Sequence, residues 1–333
     1  MKSAEVWGQK TGKEYVVNLL QMRDEQIGVM SGGFVKRIPS VDNPFSQDIY
    51  LQSKDITAVA CSDDVLWSCT NRGLVGAWDF RASTSAPVAS VQTNTPYMSC
   101  MDVGFQGSLL ACGTEEGIES KIVFFDTRQI GREPLGQYVE SHSDSITTVK
   151  FQGQMFFSGS VDGLVCGFDI TQPNETLALV SVMKPNGACL KLGCFGTRGL
   201  FATTSSETFH LFDYETAQTI GSYDNDVMLG TGCRELLMER TMLGNEKKME
   251  INYLIDGLWE ARTQKLLLLA GNSEGGAFGY EVTLGGFQPL GPLTGVHTEV
   301  VRCAKTYDGG KSSGFNILTG AEDGRVCLWK PDL

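Results

Sequence analysis

Three histidines, ten cysteines and a scatter of paired acids are the residues of this 333-residue chain whose types could do chemistry. Adjacent carboxylates such as Glu115 and Glu116 can share general acid and base work when one is buried enough to hold its proton. These two are placed in a polar, solvent-facing turn between short apolar strands, so such work is not expected of them. A zinc or iron site needs several His and Cys ligands at close spacing. His142, His210 and His297 are far apart in sequence, and no two cysteines have Cys-x-x-Cys spacing. The nearest pair, Cys189 and Cys194, is placed around a strand and its turn. No Walker-type Gly-x-x-x-x-Gly-Lys-[Ser/Thr] occurs, and no Gly-x-Gly-x-x-Gly follows a strand. Catalytic residues, metal ligands and cofactors are therefore not expected, and the glycines read as turn residues.

Whatever these side chains do, a repeat positions them. One phrase recurs six times: Leu66-WSCTNRGLVGAWD, Leu110-ACGTEEGIESKIVFFD, Phe157-SGSVDGLVCGFD, Phe201-ATTSSETFHLFD, Leu269-AGNSEGGAFGYE and Leu318-TGAEDGRVCLWK. Each is an apolar strand, a tight turn usually holding Gly and an acid, and a second strand ending on an aromatic. The residues that follow the aromatics, Asp79, Asp126, Asp169, Asp213, Glu281 and Lys330, are 47, 43, 44, 68 and 49 apart. A period in the mid-forties with an aromatic-acid ending predicts an all-β propeller of four-stranded antiparallel blades.

The six phrases are the second and third strands (b and c) of six blades, with a preceding inner strand a and, where one is visible, a following outer strand d. Residues 14–52 add a degenerate blade, which makes seven. The predicted layout is one domain over 1–333: a closing strand at 3–8, then blades at 14–52, 56–92, 97–139, 146–182 and 187–222, an insertion at 223–251, and blades at 252–293 and 299–330. Blade 7 lacks a fourth strand of its own, so the segment at 3–8 is expected to supply it and close the ring. Arg234 to Leu243 in the insertion are rich in helix formers, but helix, extra strand and loop all stay open.

Bulk composition narrows the function class. A net charge of −12 argues against direct nucleic-acid binding, which needs excess Lys and Arg, and permits attraction to a basic partner. No apolar run approaches the ~20 residues that span a bilayer, so no membrane is expected. No export signal is visible, so the cysteines are expected to be reduced thiols in cytoplasm or nucleus.

The phrase around Phe157, preceded by Ser141-HSDSITTVKF, resembles the WD40 repeat. In that family a His before strand a, a Ser or Thr in b, an Asp in the b–c turn and a Trp in c form a hydrogen-bonded structural set. By this resemblance His297, Thr319, Asp323 and Trp329 fill all four positions in blade 7. His142, Ser158 and Asp162 fill three in blade 4, with Phe168 in place of Trp. Longer strings, Glu140-SHSDSITTVKF with Gly159-SVDGLV, Asn252-YLIDGLW and Gly320-AEDGRVCLWKP, are similar to the WD repeat-containing protein 89 family. A seven-bladed propeller that binds other proteins, a monomer working within a complex, is the expectation, with the oligomeric state left open by the sequence.

Two surfaces stand out as partner sites. The b–c turns gather with the d–a loops on one face, here the top. They bring Glu115, Glu116, Asp162, Glu207, Glu274 and Glu322 there, which favours a basic segment of histone or ribosomal type. On the opposite face, Trp78-Asp-Phe-Arg81 and Phe125-Asp-Thr-Arg128 resemble the WDxR motifs of cullin–RING ubiquitin ligase substrate receptors. In those proteins the arginines engage a propeller adaptor. The competing reading is a local Asp–Arg pair that holds the c–d turn.

Overall fold

The computed structural model describes residues 2–7, 14–22, 25–38, 49–51, 55–82, 86–115, 120–224, 238–240, 246–248, 251–283, 285–307 and 316–330. Within them lie seven four-stranded antiparallel sheets. The inner strands are Val16–Met22, Ile56–Ser62, Met98–Gly104, Ile146–Gln152, Cys189–Phe195, Tyr253–Glu260 and Val301–Tyr307. Ring closure is the expected one: Lys2–Trp7 pairs with Val326–Lys330 as the outer strand of blade 7, Lys2 opposite Lys330 and Trp7 opposite Val326. Two boundaries move by a residue. The outer strand of blade 4 is Leu179–Met183, and that of blade 5, Gln218–Tyr223, takes Tyr223 out of the insertion. In the insertion, Met238–Arg240 and Glu246–Lys248 form a two-stranded hairpin within the stretch rich in helix formers and just after it. Helix propensity is worth only tenths of a kcal/mol per residue, so pairing overrides it easily.

Blades stick to one another through their flat faces. Trp67, Val75 and Ala77 of blade 2 pack on Met101, Leu110 and Phe125 of blade 3, and Leu267 and Leu269 of blade 6 pack near Ile317 and Trp329 of blade 7. A fully buried side chain of this size contributes about 1.5–3 kcal/mol of burial. Both faces of a strand b are covered, which is why these strands read as continuous apolar runs rather than alternating ones.

Every inner strand carries a bulge near its start, as between Ile56 and Ala58, Ile146 and Thr148, or Val301 and Cys303. A bulge gives the strand one extra residue and a local turn of direction. In blades 2 to 4 that residue bears a hydroxyl. Thr57 donates to the Met98 carbonyl, Ser99 to the Ile146 carbonyl (2.7 Å) and Thr147 to the Cys189 carbonyl. Each bond stitches one inner strand to the next.

Candidate functional site

The side chains most capable of chemistry are committed to holding blades together. In blade 7, Trp329 Nε1 donates to Thr319 Oγ1 (2.7 Å), and Thr319 Oγ1 lies 2.8 Å from His297 Nε2. His297 Nδ1 lies 3.3 Å from the Asp323 carboxylate, which also accepts the Thr298 and Arg325 amides. The carboxylate can only accept, so His297 Nδ1–H donates to it. Nε2 is then the acceptor within the set for the Thr319 proton, and all four side chains are buried. Blade 4 repeats this with His142, Ser158 (2.7 Å) and Asp162 (3.0 Å), and Phe168 ends the chain of bonds because it has no N–H. His210 lies in strand c of blade 5, bonded through Nε2 to Thr208 (2.8 Å), and burial pushes its pKa down.

On the top face the acids divide by role. Asp162 has a side chain only 6% exposed and accepts from His142, Ser143 and Leu164, so it belongs to the blade set and not to the surface a partner meets. Glu207 is half-buried and reaches across to the Leu254 amide of blade 6, and burial raises its pKa. Glu322 accepts from Arg302 Nε at 2.7 Å. Glu115 and Glu274 are exposed, whereas Glu116 lies outside the described residues. The d–a loops add exposed Glu140, Asp144 and Glu299. The arginines of this face have partners: Arg72 pairs with Asp55, Arg302 with Glu322, and Arg325 Nη1 donates to the Val296 carbonyl, while Lys184 in the loop between blades 4 and 5 is exposed.

The same face carries apolar residues that the sequence reading missed. Tyr15 and Tyr97 directly precede inner strands, Val161 follows a strand b, and Val17 and Leu190 are bulge residues. All are 40–56% exposed. Val17 and Leu190 occupy the place where blades 2 to 4 carry the stitching hydroxyl. Aligning the second residue of each inner strand would have revealed them. Tyr97 also has φ +61 and is pinned by bonds to the Asn71 carbonyl and the Glu115 amide.

On the opposite face, Arg81 grips Asp79 with two bonds, Nε to Oδ1 (2.9 Å) and Nη2 to Oδ2 (2.6 Å). Arg128 grips Asp126 with the same two bonds, both 2.9 Å. Side-chain bonds from Arg81 hold Asp79 down to about 2, and Arg128 lowers Asp126 likewise. The turn itself does not require a guanidinium. In blades 4 and 5, Thr171 and Glu215 occupy the same position and donate the same backbone N–H to Asp169 and Asp213. Arg81 and Arg128 stay 68% and 74% exposed and line one cleft of about 750 Å³ between blades 2 and 3.

One motif was also overlooked in the sequence: Gly271-Asn-Ser-Glu-Gly275 has the Gly-x-Ser-x-Gly pattern of a nucleophile elbow. An elbow needs strand, turn and helix. Here the turn joins two strands, Lys265–Gly271 and Ala277–Thr283, and Asn272 Oδ1 ties it by accepting the Glu274 and Gly276 amides. Among the described residues no His/Cys/Asp/Glu group could hold a metal ion, and no helix is long and apolar enough to cross a membrane.

A sequence model of the WD domain, G-beta repeat, matches residues 132–169, the stretch that contains His142, Ser158 and Asp162. The chain is a seven-bladed propeller that carries a WD40 repeat. It is 26% identical to the WD repeat-containing protein 89 homolog of Dictyostelium discoideum over 80% of this chain and 68% of that one. It is also 26% identical to WD repeat-containing protein GTS1 of Arabidopsis thaliana, over 96% and 82% of the two chains. Among solved structures, a chain in the crystal structure of the mitotic checkpoint complex superposes with a TM-score of 0.73 at 14% identity, covering 98% of this propeller and 91% of that chain. That likeness is one of fold. WD40 propellers generally act as non-catalytic scaffolds that bind other proteins.

Proposed function

We propose that this propeller is a non-catalytic interaction scaffold whose acidic top face holds a basic segment of a partner protein, as a chaperone or assembly factor does. The observation that carries the reading is the imbalance of exposed charge. Glu115, Glu140, Asp144, Glu274 and Glu299 face solvent against exposed Lys184, while the arginines nearby are tied to their own acceptors. Exposed Val17, Tyr97 and Leu190 give a bound segment apolar contacts among those acids. Nine free thiols among the described residues fit a reducing compartment, cytoplasm or nucleus.

The test is binding of a fluorescent lysine-rich histone-tail peptide across a salt series. Wild type should bind at low salt and weaken steeply as the screening length shrinks from about 10 Å at 0.1 M to about 3 Å at 1 M. The Glu115→Lys/Glu299→Lys variant should lose most of the low-salt affinity. Salt-insensitive binding, or equal binding by the variant, would overturn the reading.

A second reading is a substrate receptor of a cullin–RING ubiquitin ligase. It is favoured by Arg81 and Arg128 lining one cleft in neighbouring blades, although their turns hold without arginine in blades 4 and 5. Affinity capture should then recover the ligase adaptor with wild type and lose it with Arg81→Ala/Arg128→Ala. Recovery that ignores the double variant would count against it.

A further inference from the structure

The cleft between blades 2 and 3 has a composition that names its ligand class. Its floor is the edge of the blade 2–3 core: Trp67 and Ala77, with Ile130 plugging in from the turn after Arg128. Val88, 53% exposed, and Ala89 form an apolar wall on the outer strand side of blade 2. Three guanidiniums, Arg81, Arg128 and Arg132, line it, and so do three carboxylates, Asp63, Asp64 and Asp79. The formal charges cancel, and Asp126 further neutralises Arg128. A phosphate or free carboxylate would gain little here and would face the acids of the blade 2 wall.

What the cleft does offer is directed donors beside apolar surface. Asp79 and Asp126 take the Nε and Nη2 sides of their arginines and fix both planes. Nη1 of each makes no hydrogen bond to any described residue and remains to meet an acceptor. Two oriented, charge-compensated N–H forks above an apolar floor match the carbonyls of an extended backbone with an apolar side chain between them.

We infer that this cleft docks a short peptide segment of a partner protein through one apolar anchor side chain, with its backbone carbonyls held by Arg81 and Arg128. This rests on the arginine-bearing face meeting a protein, but not on that protein being a ligase adaptor. Arg132, exposed at the rim, extends the donor row.

A random dodecapeptide library displayed on phage, panned on the intact chain, tests this directly. Enriched peptides should share an apolar residue, and their fluorescein-labelled versions should bind wild type. They should lose about tenfold or more in affinity to Val88→Arg, which fills the cleft from an exposed position, and to Arg81→Ala/Arg128→Ala. Glu115→Lys/Glu299→Lys on the other face should leave binding unchanged, and thermal unfolding midpoints should show all variants folded. No enrichment, or equal binding to Val88→Arg, overturns the inference. Capture of the adaptor separates the two readings. Peptide binding without adaptor retains the cleft and removes the ligase role. Adaptor recovered equally by wild type and Val88→Arg retains that role and removes the cleft as its dock.

Discussion

Single residues differ in how much rests on them, and the two histidine sets are a controlled comparison. Thr319 Oγ1 joins Trp329 to His297, so Thr319→Val strands both a Trp N–H and a His acceptor in a buried site. A buried polar group left without its partner costs about 1–3 kcal/mol, which puts the loss of two at about 2–6 kcal/mol. Ser158→Ala strands only His142 Nε2, because Phe168 has no donor, and should cost about 1–2 kcal/mol. Urea unfolding midpoints of the two variants check the order, and equal losses would remove Thr319 as a hub. The aspartates set a pH dependence. Asp79 is held near 2, and Asp126, Asp162, Asp169, Asp213 and Asp323 are lowered from 3.8, so the unfolded chain protonates first as pH falls. Their stabilisation is present above about 3.8 and is lost progressively towards 2. His210 is lowered from 6.5 by burial, so its protonation favours the unfolded chain as pH falls below that value. Glu207 runs the other way, since burial raises it from 4.5 and its effect weakens the fold as pH rises through that range. Thermal midpoints should therefore decline gently below pH 6.5 and steeply below about 4. Replacing His210 with Gln should flatten the gentle part alone.

Elements meet through a position that no reading of single phrases exposes. The glycine near the end of strand b lets the inner strand of the next blade press close. A Cβ on Gly159 would lie 2.5 Å from Cys189 Sγ, and one on Gly320 would lie 2.5 Å from Val16 Cγ1. Gly113 stands in the same relation to Ile146, at 2.7 Å. Overpacking of this kind costs about 1–3 kcal/mol, so Gly320→Ala should lower the unfolding midpoint clearly. Gly136→Ala, where nothing lies within 4 Å, should stay within about 0.5 kcal/mol in the same denaturation assay. These glycines were in plain view in the repeated phrases, as Cys-Gly-Thr, Ser-Gly-Ser and Thr-Gly-Ala. Their reason lay in a neighbour in the next blade, Ile146 for Gly113, Cys189 for Gly159 and, across the ring closure, Val16 for Gly320. The strands and blades were legible because each is a local periodic signal, and the closing segment because blade 7 was one strand short. The cleft was not, because blades 2 and 3 each supply half of it and its depth depends on where Ile130 seats. The top-face acids were half legible. Sequence places them in turns, but only packing decides that Asp162 and Glu207 turn inward while Glu115 stays out.

For the whole molecule, closure is the step on which the other contacts depend. Blade 7 takes strands from both ends of the sequence, and Lys2–Trp7 covers the backbone edge of Val326–Lys330. That edge belongs to the strand carrying Trp329, so the covering strand protects both a row of backbone donors and the buried set around Thr319. Deleting residues 1–8 leaves every other blade its four strands but turns Val326–Lys330 into an open edge. An uncovered edge recruits another strand, and the nearest supply is a second molecule. The truncated chain should therefore unfold at a lower temperature and self-associate more than wild type as its concentration rises, which sedimentation velocity of the two would resolve. A synthetic peptide of residues 1–8 should restore both properties in trans, because it replaces the missing strand without relinking the chain. A truncated chain that stays monomeric at wild-type stability would mean that blade 7 holds without its fourth strand, and that the ring is kept closed by blade-to-blade packing alone.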